Sequence, residues 1–192
     1  MITVDDKEKI KKLLINNYIA DVESKVDRFL KVDVQKLIPS HCFSETLSEC
    51  IKIYYEGFFI ATVMMSHSIN EGIIKFIAEK NNIDIESIKK EEKKKWIEFC
   101  LKKFKKENIM TDTCYNASEA ILKSFRNDIH HMDPKISQIS FIELAEKNIK
   151  HLMTIEKEIF GFEFTEQGIN PNQRKYWSIN QDGTGNIFLK GI

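Results

Sequence analysis

Apolar positions recur three and four residues apart along most of the chain, the spacing that places side chains on one face of an α-helix. Between Asp5 and Leu30 they are Ile10, Leu13, Leu14, Tyr18, Val22, Val26 and Phe29, which predicts an amphipathic helix. Pro39 interrupts the pattern beyond it. From Glu45 to Lys80 no proline occurs, and Ile51, Tyr54, Tyr55, Phe58, Phe59, Ala61, Thr62, Met65, Ile69, Ile73, Phe76 and Ile77 leave the middle of the stretch apolar on nearly all sides. That pattern predicts the central helix of a bundle, as one long helix or as two stacked end to end near Gly57 or Gly72. Asn81 and Asn82 suit its end.

Further along, Trp96, Ile97, Cys100, Leu101 and Phe104 keep helical spacing beneath a strongly basic stretch. Asn116 followed by Glu119 resembles a capping box and predicts a helix from there through Arg126 to His131, ended by Asp133-Pro134 because the residue before proline avoids the helical region. Ser140 with Glu143 is a second such box. It opens a helix whose apolar face is Ile142, Ala145, Ile149, Leu152, Ile155 and Ile159, with Gly161 placed as its C-cap. After Gly161 the pattern changes. Lys175–Ile179 and Asn186–Leu189 are short strand-like runs around Gln181-Asp182-Gly183-Thr184-Gly185, which predicts a small hairpin or loose arm. The expected fold is all-α: a helical bundle of four to five main helices over residues 1–160, with a short C-terminal β-hairpin or arm over 161–192.

Composition narrows the function classes. The 192 residues carry 29 basic and 29 acidic side chains, so no global field gathers nucleic acid or anionic membrane. The charge is local instead: Lys89–Lys106 holds nine lysines against three glutamates. This strip reads as the wet side of a surface helix or as a contact for RNA phosphates, Lys102, Lys103, Lys105 and Lys106 being the candidates. Cys42, Cys50, Cys100 and Cys114 are far apart with no CxxC, which suits free, mostly buried thiols in a reducing compartment. The start, MITVDDKEKIKK, has no apolar run after its charges and does not read as a signal peptide. The nearly uncharged Gly57–Asn70 is short of the roughly 20 apolar residues that span a bilayer. A cytoplasmic protein without membrane contact is expected. There is no HExxH, no dense Cys/His cluster, no GxxxxGK[ST] and no GxGxxG, so neither a metal nor a nucleotide or dinucleotide cofactor is expected.

Among the five histidines, His67 falls on the apolar central helix and reads as a satisfied core residue, while His41 and His151 read as surface or capping residues. The informative run is Ser124-Phe125-Arg126-Asn127-Asp128-Ile129-His130-His131-Met132-Asp133-Pro134. Arg126 and His130, four apart, share a helical face. Arg126 and His131 are turned about 140° from each other on an ideal helix, though a loosened last turn brings both toward one cleft. The chemistry that uses such a set is RNA cleavage without metal. The 2′-hydroxyl loses a proton as it attacks phosphorus, charge grows on the phosphoryl oxygens, and the leaving 5′-oxygen needs a proton. Histidine serves either proton transfer near neutrality. Arginine offers a permanent planar fork to the phosphate, and asparagine donates to the same oxygens or orients the imidazole. One copy supplies few groups; two copies facing each other make a fuller site. The bland alternative is that Arg126 pairs with Asp128, Asp133 or another acid and the histidines cap a helix end.

Arg126-Asn127-x-x-x-His131 resembles the arginine, polar residue, three variable residues, histidine signature of HEPN domains, with Phe125 and Asp133-Pro134 fitting its usual surroundings. Tyr54-Tyr55-Glu56-Gly57, in the long apolar stretch upstream, is similar to the family's early helices, so that the resemblance covers about residues 45–160. It implies a metal-independent endoribonuclease of toxin or phage-defence type, leaving a 2′,3′-cyclic phosphate and a 5′-hydroxyl. It also implies a homodimer with the composite site at its interface, RNA as substrate, and an antitoxin or regulatory protein as possible partner. His131 would be the acid/base residue, Arg126 the phosphate-stabilising residue and Asn127 the polar helper. His130 would sit in or beside the pocket, and Glu56 or Glu71 would be the supporting acid from an early helix. Some members of the family lack nuclease activity, which leaves a noncatalytic helical module binding a protein partner or a nucleotide as the alternative. Tyr176-Trp177 could stack on a base or pack the arm against the bundle.

Overall fold

The computed structural model describes residues 4–166, 168–178 and 185–191, apart from the side chain of Lys94. It is mostly helical. In chain order the elements are α1 (Val4–Leu30), β1 (Leu37–Pro39), α2 (Ser44–Tyr55), α3 (Phe59–Lys80), α4 (Ile85–Glu92), α5 (Trp96–Lys106), α6 (Asp112–Leu122), α7 (Arg126–His130), α8 (Phe141–Phe160), β2 (Phe162–Thr165), β3 (Gly168–Pro171) and β4 (Ile187–Leu189). Single 3₁₀ turns fall at Lys93–Lys95, Pro134–Gln138 and Arg174–Tyr176.

α3 is the centre of the bundle, as its all-round apolar pattern requires. Val63, Ile69, Ile73, Ile74 and Ile77 are buried, and α2, α5, α6 and α8 pack around it, α8 most extensively. The stretch from Glu45 to Lys80 is not one helix, nor two stacked end to end. The chain turns back at Gly57, whose φ of +84° lies in the left-handed region that favours glycine. α2 therefore lies antiparallel against α3: Cys50 Sγ approaches Thr62 O, Tyr54 meets Phe59, and Gly72 faces Phe43 near the start of α2. Gly72 is no break. It is a helical position beside Phe43, where a Cβ would stand in ordinary contact at 3.6 Å.

Two further boundaries differ from expectation. α6 starts at Asp112, capped by Thr111, whose hydroxyl accepts from Cys114 N at 3.1 Å; the Asn116–Glu119 pair lies inside it. The α6 helix also stops at Leu122 and does not run through to His131. Ser140 caps α8 as expected, accepting from Glu143 N at 3.5 Å. Gly161 ends α8 without a left-handed turn; a side chain there would meet Lys157 O at 2.3 Å and Asn172 Nδ2 at 2.7 Å. Three of the four cysteines are buried, Cys42 being exposed, and all are free.

The C-terminal arm is built otherwise than its sequence suggests. The hairpin is β2–β3, paired Phe162↔Pro171 through Thr165↔Gly168. The Lys175–Tyr176 region is a 3₁₀ turn. β4 pairs antiparallel with β1, Leu37↔Leu189 through Pro39↔Ile187, and residues 179–184, most of the expected turn, lie outside the described residues. Lys190, next to β4, is buried with Glu156 of α8, Nζ to Oε2 2.5 Å. Burial pushes the Glu156 carboxyl up to about 7 and the Lys190 ammonium down, each opposed by the other's charge. Tyr176 and Trp177 are buried against the bundle, and the Tyr176 hydroxyl accepts from Asn81 Nδ2 at 3.2 Å. His41 is not a surface residue: its ring sits among Phe43, Phe76 and Phe160, with centroids 4.1–5.4 Å away. No helix among the described residues is long and apolar enough to cross a membrane.

Candidate active site

The run from Ser124 to Asp133 leaves the helical path twice. Phe125 takes φ +53°, which ends the α6 direction and starts α7 on a new axis. Met132 takes φ +51° at the other end. There Met132 N bonds Ile129 O at 3.2 Å and Asp133 N bonds Asp128 O at 2.9 Å, the paired bonds of a Schellman turn with methionine at the usual glycine position. Asp133 then caps the 3₁₀ turn at Pro134, its carboxylate accepting from Lys135 N. α7 is thus a single isolated turn between two left-handed residues, with Arg126 at its first position and His131 just beyond its last.

A buried polar network fixes the entry to that turn. Ser124 Oγ accepts from Asn148 Nδ2 of α8 at 2.9 Å and donates to Ile121 O at 2.7 Å. Asn148 Nδ2 also reaches Ser66 Oγ at 2.8 Å. His67 Nε2 lies 3.1 Å from Ser124 O and 2.9 Å from its Oγ. A carbonyl only accepts, so Nε2 carries the hydrogen. Burial, helped by the nearby Arg126 charge, holds the His67 pKa below its usual value, and the ring is neutral at pH 7. His67 is therefore a satisfied core residue, and its role is to hold the Ser124 backbone from α3.

The cleft beside this network has a volume of about 280 Å³ and is lined by Arg126, Asn127, Asp128, Lys123, Glu98 and His67, among others. Arg126 and Asn127 are thus brought together. The Arg126 side chain is 43% exposed, and Nη1 stands 3.8 Å from Glu71 Oε2. Glu71 is bound more closely by Lys75, at 2.7 Å. Of the two acidic candidates, Glu71 on α3 reaches the motif. Glu56 instead pairs with Lys25 of α1 at 2.5 Å.

His130 and His131 do not line this cleft. Both are exposed, their ring centroids 5.0 Å apart and nearly perpendicular. Met132, next to His131 in the chain, is 75% exposed, and Phe125, 43% exposed, lines the Arg126 cleft. Of the lysine candidates, Lys102 lines a second cleft of about 250 Å³, which shares Glu98, Leu122 and Lys123 with the first. Lys103 is engaged by Glu107 at 2.5 Å and Lys105 by Asp112 at 2.8 Å. Lys106 is exposed.

Sequence reasoning missed Lys123, Ser124 and Asn148. Lys123 gave no signal. Asn148 did, because it stands at core spacing between Ala145 and Leu152, and a polar side chain there needs a buried partner. Among the described residues no group of three or more His, Cys, Asp or Glu side chains is placed to hold a metal ion. Comparison with protein-family models, with curated proteins and with solved structures returns no match.

Proposed function

We propose that this chain is a metal-independent endoribonuclease of HEPN type, with a site completed by two copies of the Arg126–His131 turn across a homodimer. The observation that carries the reading is the open cleft lined by Arg126 and Asn127. The guanidinium is half exposed and only distantly paired with Glu71, so its fork is available to a phosphate. Lys123, ion-paired to Glu119 at 2.8 Å, lines both this cleft and the one at Lys102.

Within one chain His131 stands outside that cleft, next to exposed Met132, while exposed Phe125 lies on the cleft itself. A second copy covering these apolar side chains brings its own His131 toward Arg126 of the first. One histidine then removes the 2′-hydroxyl proton as that oxygen attacks phosphorus. Arg126 and Asn127 hold the growing charge on the phosphoryl oxygens, and His130 of that same second copy protonates the departing 5′-oxygen. The products are a 2′,3′-cyclic phosphate and a 5′-hydroxyl. A cytoplasmic toxin or phage-defence role, with an antitoxin or regulatory partner, belongs to the same proposal through the resemblance.

The test is RNA cleavage by purified protein in excess EDTA, beside Arg126→Ala and His131→Ala. Each substitution is expected to reduce cleavage by at least about 100-fold, with cyclic phosphate ends on the wild-type products. Equal cleavage by all three proteins, or none by the wild type, contradicts the proposal. In the second case the noncatalytic module becomes the better reading, favoured by the separation of the histidines from the Arg126 cleft.

A further inference from the structure

Trp96 opens α5 beside the Arg126 cleft, which the next two residues, Ile97 and Glu98, help to line. The indole is half-buried. Two ammonium groups stand over its ring: Lys75 Nζ of α3 at 5.6 Å from the centroid and Lys89 Nζ of α4 at 5.3 Å. Lys75 also leads back to the candidate site. It pairs with Glu71 at 2.7 Å, and Glu71 faces Arg126 at 3.8 Å. Glu71 and Lys75 are one turn, about 6 Å, apart along α3. The ring and the guanidinium therefore belong to one continuous surface.

That surface is basic. Lys89–Lys95 holds five lysines against two glutamates, and Lys90, Lys93 and Lys95 are exposed. The chain turns there at Lys93, whose φ of +48° separates α4 from α5 and leaves Trp96 at the corner. Lys75 and Lys89 hold their acids, Glu71 and Glu86, through surface pairs within one helix turn, a kind that contributes little and exchanges readily. An aromatic face between cations suits an unpaired nucleobase and its phosphates: the base stacks on the ring and the ammonium groups take the phosphate oxygens. A duplex keeps its base faces in its own stack. An acidic peptide uses the lysines and leaves the ring idle.

We infer that Trp96, between Lys75 and Lys89, is a stacking platform for an unpaired base of a single-stranded RNA whose reacting phosphate sits at Arg126. The inference rests on RNA as the substrate proposed above, and narrows that substrate to single strands. A base on the ring takes the place of one lysine, and the freed ammonium moves to the adjoining phosphate.

The chain has two tryptophans, and Trp177 is only 5% exposed, so stacking on Trp96 reads as quenching of tryptophan emission. The experiment titrates the full chain with a 2′-O-methyl oligonucleotide of about ten nucleotides, which has no free 2′-hydroxyl to react. Emission is expected to fall to a plateau, and a duplex of the same sequence to bind at least about 5-fold more weakly. Trp96→Leu, which keeps an apolar side chain against the bundle, is expected to bind a labelled oligonucleotide at least about 5-fold more weakly, and Trp96→Phe, which still stacks, to stay within about 2-fold of wild type. Lys75→Gln/Lys89→Gln, both at exposed positions, is expected to flatten the slope of log affinity against log salt by about 1.4, two phosphate contacts at about 0.7 each. Equal binding by wild type and Trp96→Leu, emission unchanged on binding, a duplex bound as tightly as the single strand, an unchanged salt slope, or no binding by wild type overturns the inference. Equal quenching by polyglutamate also overturns it, and assigns the strip to an acidic protein partner. The two readings fail separately. Cleavage that needs Arg126 but is indifferent to Trp96, in rate and in affinity, removes the platform and keeps the nuclease. Trp96-dependent binding without any cleavage does the reverse.

Discussion

His67 shows how a single side chain links the core to the candidate site. It is buried on α3, neutral, and bonded to Ser124 at the point where the chain breaks toward Arg126. Its folded-state pKa lies below the ordinary value of 6.5. Above pH 6.5 both folded and unfolded states hold the ring neutral, and the contribution is constant. Below it the unfolded chain takes up a proton that the folded chain refuses, so stability falls with pH. Wild type is therefore expected to lose more stability than His67→Gln between pH 7 and pH 5, in urea unfolding monitored by circular dichroism. Parallel losses would show that His67 does not titrate against the fold. At this scale the sequence reading placed His67 in the core, where it is hydrogen-bonded; it passed over Asn70 and Asn148, which break the apolar pattern in the same way and are hydrogen-bonded there too. It misplaced His41, read as a surface or capping residue, because the aromatic surroundings of that ring come from Phe76 and Phe160, far away in the chain.

Helices were legible as stretches, less so at their ends. The periodicity of Ile142 to Ile159 and the box at Ser140 place α8 closely. By contrast Thr111, with no acidic residue or glutamine three positions on, caps α6, while the better-looking Asn116–Glu119 pair is internal. Local capping chemistry offers several starts, and packing of Cys114 and Ala117 into the core selects one. Gly57 is the clearest case of a signal with two meanings. A glycine within an apolar helical run is read as a kink or a joint, but its left-handed backbone folds α2 back onto α3. Gly57→Ala meets only the flexible Arg28 guanidinium at 3.7 Å, so its cost is conformational. We expect a loss of about 1–2 kcal/mol in thermal or urea unfolding; an unchanged midpoint would mean that the turn does not need this geometry. The strand partners in the arm were beyond local reading, because β1 and β4 are joined by pairing across nearly the whole chain.

For the whole molecule, the helical bundle followed from periodicity alone, since a helix apolar on all sides must be surrounded. The site was legible only in part. The sequence left Glu56 and Glu71 both open as the early-helix acid, and the chain places Glu71 near Arg126 while Glu56 pairs with Lys25. The separation of His131 from the Arg126 cleft follows from the turn itself: residues 126–130 stay helical, which keeps Arg126 and His131 about 140° apart, and the last turn does not loosen to bring both into one cleft. That separation is why the proposed site needs a second copy, and it makes the central claim testable by complementation. Arg126→Ala and His131→Ala, each inactive alone, are to be unfolded together, refolded as a mixture and assayed for RNA cleavage in EDTA. If Arg126 of one copy works with His131 of the other, a mixed dimer keeps one intact site, and about a quarter of wild-type activity returns. If the mixture stays as inactive as either variant, while wild type carried through the same refolding recovers its cleavage, the shared site is contradicted.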